Sequence, residues 1–189
     1  SERKIGDVTD DLAGARRTIE RCVGGECRAV PARPNTAQER GDALIFVSGV
    51  EEIERLVEGL RPYAASTGRW VVLPLHASLP VHEQERVFDL PPDGVRKCVV
   101  STNVAETSVT LDGVRFVIDS GAVKEAGYDT DAAVASLSPH GVSRAAADQR
   151  KGRAGRTGPG VCFRLFSAAE YAALDDFTPP ALLRTPLEA

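Results

Sequence analysis

The segment best equipped for chemistry is QRKGRAGRTGPG, Gln149 to Gly160. Arg153 and Arg156 stand three positions apart, so on a helix they share a face. A guanidinium is planar, permanently charged and able to donate two parallel hydrogen bonds, which suits phosphate oxygens. Gly152 and Gly155 keep the backbone slim beside them. Each glycine costs a helix interior about 1 kcal/mol relative to alanine. Two of them among arginines point to a partner that must approach closely. The same run, with Arg144, Arg150 and Lys151 set against a single Asp148, can also be read as the solvated basic face of a helix.

The elements that must position this segment follow from the apolar pattern. Residues 7–23 carry Val8, Leu12, Ala15, Ile19 and Val23 on one helical stripe, and residues 23–41 are rich in glycine, proline and polar types, as in a loop. After residue 41 short apolar runs alternate with helical spacing. Strands are predicted at 42–48, 69–76, 97–102, 114–119 and 160–167. Helices are predicted at 50–64, 81–88, 143–153 and 168–174. Continuous apolar strands suit a parallel sheet covered on both faces, hence a doubly wound α/β domain. In such sheets ligands gather beyond the carboxyl ends of the strands. There lie SGVEE, HASLP, STNVAETS and DSG.

Composition sets outer limits. A chain of 189 residues can close one core with a short appendage. The net charge of −4 argues against a protein that coats nucleic acid with bulk positive charge, though not against local phosphate contacts. Cys22, Cys27, Cys98 and Cys162 form no CxxC pair, and His76, His82 and His140 complete no zinc pattern, so no metal site is expected. The chain carries no apolar run of membrane-spanning length and no signal-peptide core at its start, which points to an intracellular protein, cytoplasmic or nuclear.

Several blocks together resemble a known family. QRKGRAGR is similar to the sixth helicase motif of the DEAH-box group in superfamily 2. ALIFVSGVEEIE (43–54) resembles motif four, and LPLHASLPVHEQERVF (73–88) the segment after it. CVVSTNVAETSVTLDGVRFVIDSG (98–121) resembles motif five and its exit strand. LDDFTPPALLRTPLEA (174–189) is similar to the passage into a winged-helix domain. The chain is thereby identified as resembling the second RecA-like domain of DEAH-box RNA helicases. The stretch from VIDSG onward is similar to the branch with quadruplex-resolving and ribosome-associated members. The resemblance implies a RecA-like, mainly parallel sheet over 41–173, with helices on both faces and a β-hairpin within 122–140. Residues 1–40 would lead in, and 174–189 would begin the connection onward.

The resemblance also implies roles. Gln149, Arg153 and Arg156 match the positions that face the γ-phosphate of ATP and its attacking water. Thr110 and Asp112 match nucleotide-binding positions, with Asp112 on the ribose, although an aspartate before Gly113 is also a common turn residue. Phe88 matches the aromatic that stacks on adenine, and could equally be a core phenylalanine. Ser48, Gly49, Thr102, Asn103 and Thr107 match positions that touch the RNA backbone, and could instead cap the helices that follow. Both arginines are expected to face a cleft that is open in the free domain, and Lys151 to point away.

No GxxxxGK[ST] and no DEAH sequence occurs in the chain. The family keeps these in a first RecA-like domain, which would hold ATP and Mg2+. The chain is therefore expected to be half of an ATP-driven RNA motor, inactive alone. It would work with the first RecA-like and winged-helix domains of a longer protein. Another reading is a degenerate helicase-like module that binds RNA or a protein without turnover. A DNA motor of the same superfamily is a third.

Overall fold

The computed structural model describes residues 41–129, 134–156 and 158–178. The helix expected at 7–23, the lead-in up to residue 40, and residues 179–189 of the onward connection lie outside them. The elements in chain order are β1 (Asp42–Phe46), α1 (Val50–Thr67), β2 (Trp70–Leu75), α2 (Val81–Glu85), β3 (Arg96–Ser101), α3 (Val104–Thr107), β4 (Val114–Asp119), β5 (Ala122–Asp129), β6 (Val134–Gly141), α4 (Arg144–Gly152), a 3-10 turn (Arg153–Gly155), β7 (Val161–Arg164) and α5 (Ala168–Ala172).

Five strands form one sheet in the order β2-β3-β1-β4-β7. Every neighbouring pair is parallel. Strand pleating sends alternate residues to opposite faces, and β1 shows the result. Ala43, Ile45 and Val47 pack with Ile53, Leu56, Val57 and Leu60 of α1 on one face. Leu44 and Phe46 pack with Val87, Ala105, Leu111 and Ala154 on the other. Both faces are covered, as the unbroken apolar strands require. This is an α/β, RecA-like, doubly wound domain. Pro74 sits within β2, which the strand order makes an edge strand, where the missing N–H costs least. The hairpin of β5 and β6 is separate from the main sheet and antiparallel.

The element boundaries differ from the sequence reading for local reasons. β1 stops at Phe46 rather than residue 48, because Gly49 turns the chain as the N-cap of α1. α1 runs on to Thr67 past the exposed Pro62, and Gly68 ends it in a left-handed conformation with its N–H on the Ala64 carbonyl. α2 ends at Glu85 instead of residue 88, and turns take over so that Val87 reaches the core. β7 ends at Arg164 instead of residue 167, since Ser167 caps α5 in a reciprocal box with Glu170. α3 has four residues, too few to show helical periodicity.

Asp175 and Asp176, after α5, pack back on α4. Arg144 and Ala145 donate their backbone N–H groups to the carbonyls of Asp175 and Asp176, and Ser143 Oγ accepts from Ala146. Three first-turn donors of α4 are thereby satisfied. Asp148 accepts hydrogen bonds from Arg164 at 2.7 Å and from the Tyr171 hydroxyl at 3.1 Å, which ties α4 to β7 and α5. No helix among the described residues is long and apolar enough to cross a membrane.

Candidate active site

Helix α4 and the 3-10 turn bring part of the motif together. Gln149, Gly152, Arg153 and Arg156 line an open cavity of about 330 Å3 whose other wall is Glu106 and Thr107 of α3. Gln149 and Arg156 are exposed. Arg156 Nη1 donates to Thr110 Oγ1 at 2.6 Å, so Thr110 holds this guanidinium at the rim.

Arg153 departs from the expectation of a side chain in an open cleft. It is only 7% exposed. Its Nη1 donates to the Val109 carbonyl at 2.8 Å, and its Nη2 to the Glu106 carbonyl. The reason is packing: Ala154 beside it is buried in the core, which pulls the turn against β4. Burial first, and then the Arg156 charge, hold the Arg153 guanidinium below its usual pKa, while the Glu106 charge opposes them. Two like charges facing one cavity favour an anion there.

The motif is not a solvated basic face. Ala147, Arg150 and Ala154 recur at spacings of three and four, and all three are buried. Arg150 is fully buried. It donates to Asp119 Oδ1 at 2.8 Å, to Glu106 Oε2 at 3.1 Å and to the Ala122 carbonyl at 3.3 Å. Its guanidinium carbon lies 4.9 Å from the centroid of the Phe46 ring. Lys151 is exposed. Sequence patterning misses the roles of Arg150, Asp119 and Glu106. The available signal was the stripe through Ala147 and Ala154, which places residue 150 inside.

The glycines tell a related story. A Cβ at Gly152 or Gly155 would meet nothing within 4 Å, so this domain does not itself demand a bare backbone there. At Gly160 a Cβ would strike the Ala154 carbonyl, so that glycine lets the chain return beneath the 3-10 turn. If the slim backbone serves an outside partner, Gly155→Ala should leave the denaturation midpoint unchanged or slightly raised. Loss of stability in the isolated chain would show instead that packing requires the glycine.

The remaining predicted residues, Thr107 apart, fall outside this cavity. Phe88 is 54% exposed, which removes the core alternative for it. Asp112 is exposed, ahead of Gly113 in a left-handed turn at φ 84. Ser48 and Gly49 lie buried beyond β1, and Thr102 and Asn103 lie half-buried beyond β3, at the same end of two adjacent parallel strands. Gly49 and Asn103 are the N-caps of α1 and α3, and neither cap is closed by a side-chain hydrogen bond. Capping therefore does not account for Asn103. Thr107 is exposed and joins the cavity wall rather than the Ser48 group.

Neither cysteine among the described residues is an activated thiol. Burial, with Asp42 nearby, pushes Cys98 up to about 12, and burial, with Asp119 nearby, pushes Cys162 to about 11. Both are protonated at neutral pH, and the thiolate is the nucleophile. Among the described residues no three His, Cys, Asp or Glu side chains gather as a metal site. The donors present suit phosphate oxygens.

Comparison with known proteins gives a consistent result. A family model described as helicase conserved C-terminal domain matches residues 27–158. The human protein named probable ATP-dependent RNA helicase DHX34 is 55% identical over 152 residues, covering 80% of this chain and 13% of that protein. Human ATP-dependent DNA/RNA helicase DHX36 is 43% identical over 152 residues, covering 80% of this chain and 15% of that protein. The crystal structure of the Escherichia coli DExH-box NTPase HrpB aligns with a TM-score of 0.75 at 30% identity, over 98% of this chain and 20% of that one. The chain thus spans a minor part of each relative's length.

Proposed function

We propose, from the premise that this chain belongs to the helicase conserved C-terminal domain family of the DExH-box RNA helicases, that it supplies the γ-phosphate-facing half of an ATP site and part of an RNA track. The observation that carries this reading is the cavity in which Gln149, Arg153 and Arg156 converge without a phosphate-binding loop. ATP would be held by a first RecA-like domain of the full-length protein. Magnesium, bound there with the triphosphate, would neutralise charge on the β- and γ-phosphate oxygens.

The residues of this chain then divide the work. Gln149 orients the attacking water. Arg156 reaches the transferred phosphoryl group from the rim, where Thr110 holds it. Arg153, more deeply set, fixes the turn that presents Arg156 and adds positive potential behind it. Fixed cations in a closed cleft stabilise the charge that develops in the transition state. Phe88 offers an exposed ring to the adenine, and Asp112 an exposed carboxylate to the ribose hydroxyls. Ser48, Gly49, Thr102 and Asn103, together beyond β1 and β3, offer hydroxyl, amide and backbone N–H groups to RNA phosphates and sugars. Thr107 stands where the two surfaces meet.

Magnitudes decide the test. Without the phosphate loop, only stacking, a ribose contact and the arginines remain to bind ATP. Calorimetric titration of the isolated chain with ATP should show at best about millimolar affinity, near −4 kcal/mol. Micromolar binding would contradict a half-site.

A further inference from the structure

Asp42 and Lys97 are both buried, and neither belongs to the groups just described. Asp42 opens β1, and Lys97 is the second residue of β3. Strand pleating puts Lys97 on the same face of β3 as Val99, the face that packs with Val87, Leu111 and Val114. Its Nζ donates to the Val87 carbonyl at 2.6 Å. Its backbone N–H donates to Asp42 Oδ1 at 2.9 Å. The Asp42 N–H donates in turn to the Gly113 carbonyl at 3.0 Å. A Cβ at Gly113 would stand 3.3 Å from Asp42 Oδ2, so this carboxylate lies against the left-handed turn. Val87 and Leu111 share one core cluster, and Phe88 and Asp112, both exposed, follow them in sequence. Between them the two buried residues touch both turns assigned to adenine and ribose.

We infer that Lys97 is a positioning residue for the nucleotide base: it fixes the turn that presents Phe88, while Asp42 ties that anchor to the Asp112–Gly113 turn. The inference rests on the functional reading above. A ring that is 54% exposed is only half covered by its neighbours, so its aim depends largely on its backbone. The Val87 carbonyl and the Phe88 N–H belong to one planar peptide unit. Lys97 holds the carbonyl, and the Glu85 carbonyl accepts from the N–H at 2.9 Å. Both sides of the unit are thereby fixed, and the ring is set before a nucleotide arrives. A preset ring loses less freedom on stacking, so more of the contact appears as affinity. A buried ammonium is costly unless it is hydrogen-bonded. Core filling alone would need only an apolar chain of similar length, whereas the Lys97 ammonium acts on the backbone beside Phe88.

The experiment uses the full-length protein with saturating RNA and two substrates: ATP, and abasic ribose 5-triphosphate, which keeps the phosphates and lacks the base. KM and kcat are measured for the parent, Phe88→Ala, Lys97→Met and the double variant. Stacking of a base on an aromatic ring typically contributes about 5- to 150-fold. Lys97→Met should raise the KM for ATP within that range. It should leave the KM for the abasic substrate and both kcat values within about twofold of the parent, as loss of a binding contact alone does. In the Phe88→Ala background Lys97→Met should add nothing, since the two residues act as one unit. Hydrogen–deuterium exchange of the nucleotide-free protein gives a readout apart from activity. The Val87 and Phe88 amides should exchange faster in Lys97→Met, and those of α4 at the parental rate. Thermal melting accompanies each variant, and if Lys97→Met does not fold, Lys97→Gln, whose amide ends one bond short of the ammonium, takes its place. A parental ratio of the two KM values in a folded variant would overturn the inference. So would equal rises for both substrates, a loss confined to kcat, additive effects in the double variant, or unaltered exchange at Val87 and Phe88. Phe88→Ala separates the two levels: a parental KM ratio there defeats the base-stacking assignment itself, whereas a collapsed ratio there with a parental one in the Lys97 variant defeats only the role of Lys97.

Discussion

Arg156→Ala in the full-length protein should lower RNA-stimulated ATP turnover by about 10³- to 10⁵-fold, the contribution typical of an arginine finger. The protein should remain folded, because Arg156 is exposed and, among the described residues, its side chain hydrogen-bonds to the exposed Thr110. Lysine at this position keeps the charge but loses the planar fork, so Arg156→Lys should recover little. Arg153 differs. It is buried and satisfies two backbone carbonyls, so Arg153→Ala should cost stability as well as turnover. Steady-state hydrolysis at saturating RNA, paired with thermal melting, separates the two arginines. Equal stability losses for both would contradict the difference in burial.

The second large effect belongs to Arg150, which never reaches the cavity. Replacing it with alanine leaves the fully buried Asp119 carboxylate without its cation and removes the Arg150 hydrogen bond to Glu106 Oε2. Breaking a buried ion pair from one side costs about 3–5 kcal/mol. Chemical denaturation of the isolated chain should register that loss, against a total stability of about 5–15 kcal/mol for a domain. Arg150→Lys should recover only part, since one ammonium cannot span Glu106, Asp119 and the Ala122 carbonyl at once. Asp119→Asn placed in the Arg150→Met background should regain stability, because it removes the stranded charge. A change below about 1 kcal/mol for Arg150→Ala would mean that water or a neighbour compensates the acids, and the buried network would lose its structural role.

These two arginines mark how far the sequence could be read. The α/β class was legible because apolar runs such as ALIFV and CVV are two-sided and alternate with helical spacing. The pairing of Arg153 and Arg156 followed from their helical spacing, and Gln149 joined them through the resemblance to the helicase motif. The depth of each side chain was not legible. Arg150 and Arg153 are basic like the exposed Lys151 and Arg156, and only the register of Ala147 and Ala154 against the sheet decides which are buried. Glu106 escaped notice because α3 is one turn long and carries no periodic signal. Its importance comes from a contact with residue 150 across a wide gap in sequence. Phe88 posed the opposite problem: an apolar residue closing a predicted helix looks like core, but α2 ends early and leaves Val87 buried and Phe88 outside.

The central claim is that Arg156 stabilises the transition state of a nucleotide held in trans, and not the ground state. Only interactions stronger in the transition state accelerate the chemical step. The direct measurement compares affinities of the full-length protein, with RNA present, for ADP–aluminium fluoride and for a non-hydrolysable ATP analogue. The parent should bind the transition-state mimic more tightly by about 10²-fold or more. In Arg156→Ala that preference should disappear, while the Kd of the ATP analogue stays within about threefold, under 1 kcal/mol. An undiminished preference for the transition-state mimic in Arg156→Ala would contradict the account.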